Sequence, residues 1–101
     1  MYKVTVLYNH PTDTEKFEQY YEEKHLPIAK RMPGVSKLEL TKFDSAPGGG
    51  EPAHYRMAEI YYLTKEAMQE SMGTPESQEA INDLQNFATG GVTVLLGSVS
   101  Q

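Results

Sequence analysis

At 101 residues, 39% of them hydrophobic and 23% charged, the chain has the length of one domain, 1–101, and is too short for two cores. Its formal net charge of -5 argues against nucleic acid, whose phosphates demand a basic face, and against an anionic membrane surface. No apolar run approaches the roughly 20 residues that cross a bilayer. Cysteine is absent, which removes disulfides, thiolate metal sites and a cysteine nucleophile. The default address is the cytoplasm.

Residues 2–9 (YKVTVLYN) alternate and read as a strand, with Tyr2, Val4, Val6 and Tyr8 on one face. This start does not have the pattern of a signal peptide. His10-Pro11 ends the strand, and Thr12-Asp13-Thr14-Glu15 fits a capping box with Thr12 as the cap. A helix follows, with Phe17, Tyr21, Ile28 and Met32 on one stripe, and Pro33-Gly34 stops it. Residues 35–45 form a second strand, 46–52 a glycine-rich surface loop, and 53–63 a third strand rich in tyrosine. Thr64 caps a short helix over 65–72 with Met68 and Met72 inward. Thr74-Pro75 opens the last helix, 75–88, with Ala80, Ile81, Leu84, Phe87 and Ala88 inward. Gly90-Gly91 closes that helix, and 92–99 is the final strand.

The order β-α-β-β-α-α-β predicts an α+β fold: a ferredoxin-like four-stranded antiparallel sheet with helices on one face. The open sheet face should then alternate with polar residues. Leu7 on the first strand and the run Val92-Thr93-Val94-Leu95-Leu96 on the last suggest apolar character on both faces instead. A second copy is the cheapest cover, so the expectation is a homodimer with two sheets face to face.

Tyr21 and His25 are neighbours on the helix surface, with His25 at the edge of the apolar stripe, half-buried. Pro27 cannot donate to the Glu23 carbonyl and should bend the helix just after His25. The bend and the rings together suggest a pocket wall in which a neutral imidazole serves as general acid or base near neutral pH. The alternative is a hydrogen-bonded boundary histidine. His10, His25 and His54 share no metal-binding spacing; an axial haem ligand from His25 or His54 is a lesser option. Glu59, a charge in mid-strand, should pair with Arg56 or a helix lysine, or act as a pocket base. Asn86, near the end of the last helix, is a cap, a surface residue or a ligand contact.

The segments YNHPTDTEKFEQYYEEKHLPIAKRMPGV and PESQEAINDLQNFATGGVTVLLGSV resemble the EthD family of the dimeric α+β barrel superfamily. The resemblance is carried by the strand ending in Tyr8, Phe17 before Tyr20-Tyr21, His25-x-Pro27, Pro33-Gly34 and the Asn86–Val92 run, and it covers most of the chain. It implies a barrel-forming homodimer and a pocket for a small apolar or aromatic ligand. It also implies an oxidoreductase-associated enzyme of catabolic or secondary metabolism, without cofactor, in which His25 abstracts a proton. Tyr8 and Tyr21 match aromatic positions of the family, and Phe17, Asn86 and Phe87 complete the expected substrate-binding set. A non-catalytic carrier of a small apolar compound, serving a partner monooxygenase, is the competing implication.

Overall fold

A computed structural model describes residues 1–100. The backbone runs β1 (Tyr2–Tyr8), α1 (Thr14–Tyr20), a π turn (Tyr21–His25), α2 (Leu26–Ala29), β2 (Lys37–Lys42), β3 (Arg56–Tyr62), α3 (Lys65–Met72), α4 (Pro75–Asp83), a 3-10 turn (Leu84–Asn86) and β4 (Val92–Ser98). The four strands form one sheet in the order β2-β3-β1-β4, and all neighbours are antiparallel. This is the ferredoxin-like arrangement expected from the element order. The second and third strands are shorter than predicted, because residues 43–55 are taken up by the glycine-rich connection. Among the described residues, no helix is long and apolar enough to cross a membrane.

Register assigns the faces. Val4 pairs with Ile60 and Leu96, Val6 with Ala58 and Val94, and Tyr8 with Arg56 and Val92, so these residues share the face that the helices cover. The opposite face carries Lys3, Thr5 and Leu7 on β1, with Glu59 and Tyr61 on β3 and Lys37 and Glu39 on β2. The expectation of two apolar faces therefore fails over most of the sheet, and the outer face is largely polar. Lys3 donates to Glu59 at 2.7 Å, and the Tyr61 hydroxyl donates to Glu39 at 3.0 Å. Glu59 thus has its ion pair, but with Lys3, because strand parity puts Arg56 on the other face. Arg56 instead clamps Glu18 of α1 with bonds of 2.8 and 2.6 Å. Within the sheet, the most exposed apolar residues lie on β4: Val94, Leu95 and Leu96 stand 48%, 53% and 56% exposed along an unpaired edge.

Three caps fix the helices. Asp13, not Thr12, caps α1 by accepting from the Lys16 amide at 3.1 Å. Thr12 is drawn away by Thr89, which accepts from its amide at 3.1 Å and its hydroxyl at 3.2 Å. Thr64 and Thr74 cap α3 and α4 as the sequence suggests, with Pro75 in the first turn of α4. After α2 the chain tightens into i→i+3 bonds, Arg31 to Ile28 and Met32 to Ala29, and turns into β2 through Gly34 at φ +74°.

Gly90 has a different reason for being glycine. The turn after β1 packs against its backbone, and a Cβ there would lie 2.8 Å from the His10 carbonyl carbon and 3.1 Å from the Asn9 oxygen. Asn9 also donates from Nδ2 to the Gly90 carbonyl at 3.0 Å. Gly90→Ala should lower the unfolding free energy by about 2 kcal/mol or more, the range for overpacking a close contact. Gly97→Ala, where a Cβ meets nothing within 4 Å, should stay within about 0.5 kcal/mol of the parent. Urea midpoints of the two variants check this, and equal effects would contradict it.

Candidate active site

An apolar cavity of about 210 Å³ lies between the sheet and the helices. Val4, Val6, Ala58 and Ile60 form its floor, and α2, α3 and α4 contribute Ala29, Met68 and Ala80, with Met32 in the turn after α2. The polar side chains among its lining residues are Tyr8, Tyr21 and His25. Tyr8 arrives on the last residue of β1, while Tyr21 and His25 open and close the π turn.

The π turn brings those rings together. The Leu26 amide bonds to the Tyr21 carbonyl, five residues back. The irregularity therefore lies in the turn before Pro27, not after His25 as expected. The proline ring has no N–H to give, and the widened turn absorbs the defect without a break. It also rotates His25 inward. Instead of sitting half-buried at a boundary, His25 is 6% exposed, and its ring stacks on Tyr21 at 5.9 Å with a 17° interplanar angle. Tyr8 meets Tyr21 edge-on at 5.6 Å. Phe87 closes on His25 from behind at 4.6 Å.

His25 Nδ1 lies 2.9 Å from Asp83 Oδ2. Asp83 is itself only 6% exposed, and it is the residue that sequence reasoning missed. Its other oxygen, Oδ1, accepts from the Tyr20 hydroxyl at 2.6 Å and from Asn86 Nδ2 at 3.0 Å. Burial is the largest single influence on Asp83 and acts to raise its pKa. The bonds from Tyr20, Asn86 and His25 together outweigh it and hold the carboxyl below the usual range. Burial dominates at His25 and lowers its pKa, against the upward pull of Asp83. The pair is therefore a neutral imidazole beside a carboxylate. A carboxylate can only accept, so Nδ1 carries the proton and donates, and Nε2 keeps its lone pair.

The Tyr21 hydroxyl is a buried polar group with no hydrogen-bond partner among the described residues, and Tyr21 is 3% exposed. Burial pushes its pKa up to about 12, with Arg56 opposing; the Arg56 guanidinium lies 4.9 Å from the Tyr21 ring centre. Burial drives the Tyr8 phenol strongly upward as well. Both phenols are neutral donors at neutral pH.

The residues expected to bind substrate divide into two groups. Tyr8, Tyr21 and His25 line the inner cavity. Phe17, Asn86 and Phe87 line a separate groove of about 530 Å³ on the other side of the helical layer, together with Tyr20. Phe17 and Phe87 pack against Tyr8 at 5.4 and 5.7 Å and support the cavity wall from behind. Asn86 serves Asp83. His54 Nδ1 sits 3.2 Å from Asn9, and His10 Nε2 donates to the Pro52 carbonyl at 2.7 Å. Among the described residues, no three histidine, aspartate or glutamate side chains come together as a metal-ligand set.

The two lowered pKa values set a pH dependence. Each group binds fewer protons folded than unfolded, so each makes stability rise with pH through its titration. The His25 contribution is complete above about pH 6.5, the unfolded value, and is lost as pH falls through the lower folded value. The Asp83 contribution is complete above about pH 3.9 and disappears below it. Urea unfolding should show wild-type stability falling between pH 7 and 5, and His25→Gln should flatten that window. An unchanged slope in the variant would contradict the assignment.

Residues 9–91 match the model of the EthD domain. An uncharacterized 11.0 kDa protein from the thcB-thcC intergenic region of Rhodococcus erythropolis is 40% identical over 95 residues, 94% of this chain and 91% of that one. An EthD family protein of Bacillus halodurans superposes with a TM-score of 0.91 at 30% identity, covering 98% of both chains. SnoaB, a cofactor-independent oxygenase from Streptomyces nogalater, shares the fold with a TM-score of 0.64 at 16% identity, over 99% of this chain and 92% of that one. The domain match over most of the length, the family relative and the shared fold agree: this chain belongs to the EthD family.

Proposed function

We propose that the protein is a small-molecule enzyme in which His25 abstracts a proton from an apolar or aromatic substrate held between sheet and helices. The observation that carries this reading is the buried His25–Asp83 bond, which leaves Nε2 as a base at the wall of an apolar cavity. Nε2 takes the proton from an acidic C–H or O–H of the substrate, and the electron pair stays on the substrate as an enolate or phenolate. Asp83 stabilises the imidazolium that forms. The Tyr21 hydroxyl, with Tyr8 beside it, donates to the oxygen that gains charge, in surroundings that make such a bond strong. No cofactor is needed for this step. The fold shared with SnoaB, described as a cofactor-independent oxygenase, is consistent with an enolate that goes on to react with dioxygen.

The probe is 2-indanone, a compact apolar ketone with acidic C–H bonds. Wild-type protein should speed its deuterium exchange, and His25→Gln should lose about 10²–10⁴-fold of that acceleration while binding within a few-fold of wild type. The wild-type rate should fall as His25 becomes protonated below pH 6.5. Equal exchange by wild type and His25→Gln, with binding intact, would favour a carrier over an enzyme.

We also propose that two chains associate as a homodimer, which would cover the unpaired, apolar β4 edge. Sedimentation at micromolar concentration should give twice the chain mass of 11.3 kDa, and Leu95→Lys should shift the protein toward monomer. A wild-type monomer under those conditions would contradict the dimer.

A further inference from the structure

We infer that the cavity selects compact, uncharged ligands bearing a weakly acidic hydroxyl, phenols and enols of one or two rings, and rejects carboxylates of the same shape. The inference rests on the proposed reading of this cavity as the substrate site, and it follows from which polar atoms the cavity offers. Nε2 of His25 can only accept, because Asp83 fixes the proton on Nδ1. The Tyr21 hydroxyl is buried without a partner, a state that costs free energy until an acceptor arrives. A ligand that satisfies both donates a hydrogen bond to Nε2 and accepts one from Tyr21, and a phenol or enol hydroxyl does both.

Charge excludes the alternatives. The nearby cation, Arg56, has its guanidinium bonded twice to Glu18, so it has no free charge for a ligand carboxylate. A carboxylate in the cavity would also face the buried Asp83 charge behind His25, in surroundings where an unpaired charge is expensive. Among the described residues, no lysine or arginine lines the cavity, and neither does any carboxylate that could hold an ammonium group.

Size and shape follow from the floor. The polar atoms gather at the Tyr8 end of β1. The cavity then runs about 13 Å along the strand, four residues at ~3.3 Å each, to Val4, Ile60 and Leu38. Met32, Met68 and Met72 lie along its walls. Methionine thioethers are flexible and conform to varied apolar groups, so an alkyl substituent can extend toward them. A volume of about 210 Å³ falls below the roughly 300–1,000 Å³ of drug-sized sites, which favours one- and two-ring ligands over large fused-ring systems.

Isothermal titration with four probes tests this: 4-propylphenol, propylbenzene, 4-propylbenzoate and 1-hydroxypyrene. The phenol should bind at least tenfold more tightly than each of the others. Tyr21→Phe should reduce its affinity to that of propylbenzene and leave propylbenzene itself within twofold, which also shows that the variant is folded. A carboxylate that binds as well as the phenol, a phenol no better than the hydrocarbon, an indifferent Tyr21→Phe, or no binding at all would overturn the inference. Its failure is separable from failure of the catalytic reading. Phenol selectivity without His25-dependent exchange of 2-indanone keeps the ligand class and removes the chemistry. Exchange that depends on His25, with a preference for carboxylates, does the reverse.

Discussion

The bond between His25 Nδ1 and Asp83 Oδ2, 2.9 Å long and shielded from water, is the constraint around which the helical layer is arranged. It joins the π turn of the first helix to the end of α4 across 58 residues of sequence. An isolated buried carboxylate would be costly, and an isolated buried imidazole would gain nothing from its position. Tyr20 and Asn86 saturate the second carboxylate oxygen, so the charge on Asp83 is shared among three donors. The imidazole is thereby oriented, with Nδ1 engaged by Asp83, and Nε2 has no protein partner among the described residues. A purely structural histidine could be satisfied at both nitrogens. This one has its free side against an apolar cavity.

Much of the fold was legible because it depends on local periodicity and punctuation. The alternation of Val4, Val6 and Tyr8, the Thr64 and Thr74 caps and the glycines after each helix all report neighbours close in sequence. The site was legible only in part. His25 and Tyr21 were found because they share one helix, but their degree of burial was misjudged. A constant 100° step cannot anticipate the extra residue of a π turn. Asp83 was missed because its partner lies 58 positions away. One signal was present: Asp83 is followed at once by Leu84 and, four residues on, by Phe87, so the charge borders the inward stripe. Asn86, three residues on, is spaced to reach it.

The expected two-faced apolar sheet failed for a related reason. The sequence shows that Lys3, Glu59, Tyr61 and Glu39 exist but not that antiparallel register gathers them on one surface. Once gathered, they satisfy one another, and the most exposed apolar side chains of the sheet lie on β4. That strand also bounds the cavity through Val94 and Leu96. In the proposed dimer, the partner that covers this edge would also complete one wall of the cavity.

The central claim is that His25 is neutral at physiological pH with its proton on Nδ1. Nitrogen-15 NMR of the imidazole in the intact protein at pH 7.5 tests it most directly. The account predicts a protonated, pyrrole-type Nδ1 and an unprotonated, pyridine-type Nε2. A proton on Nε2, or on both nitrogens, would contradict it.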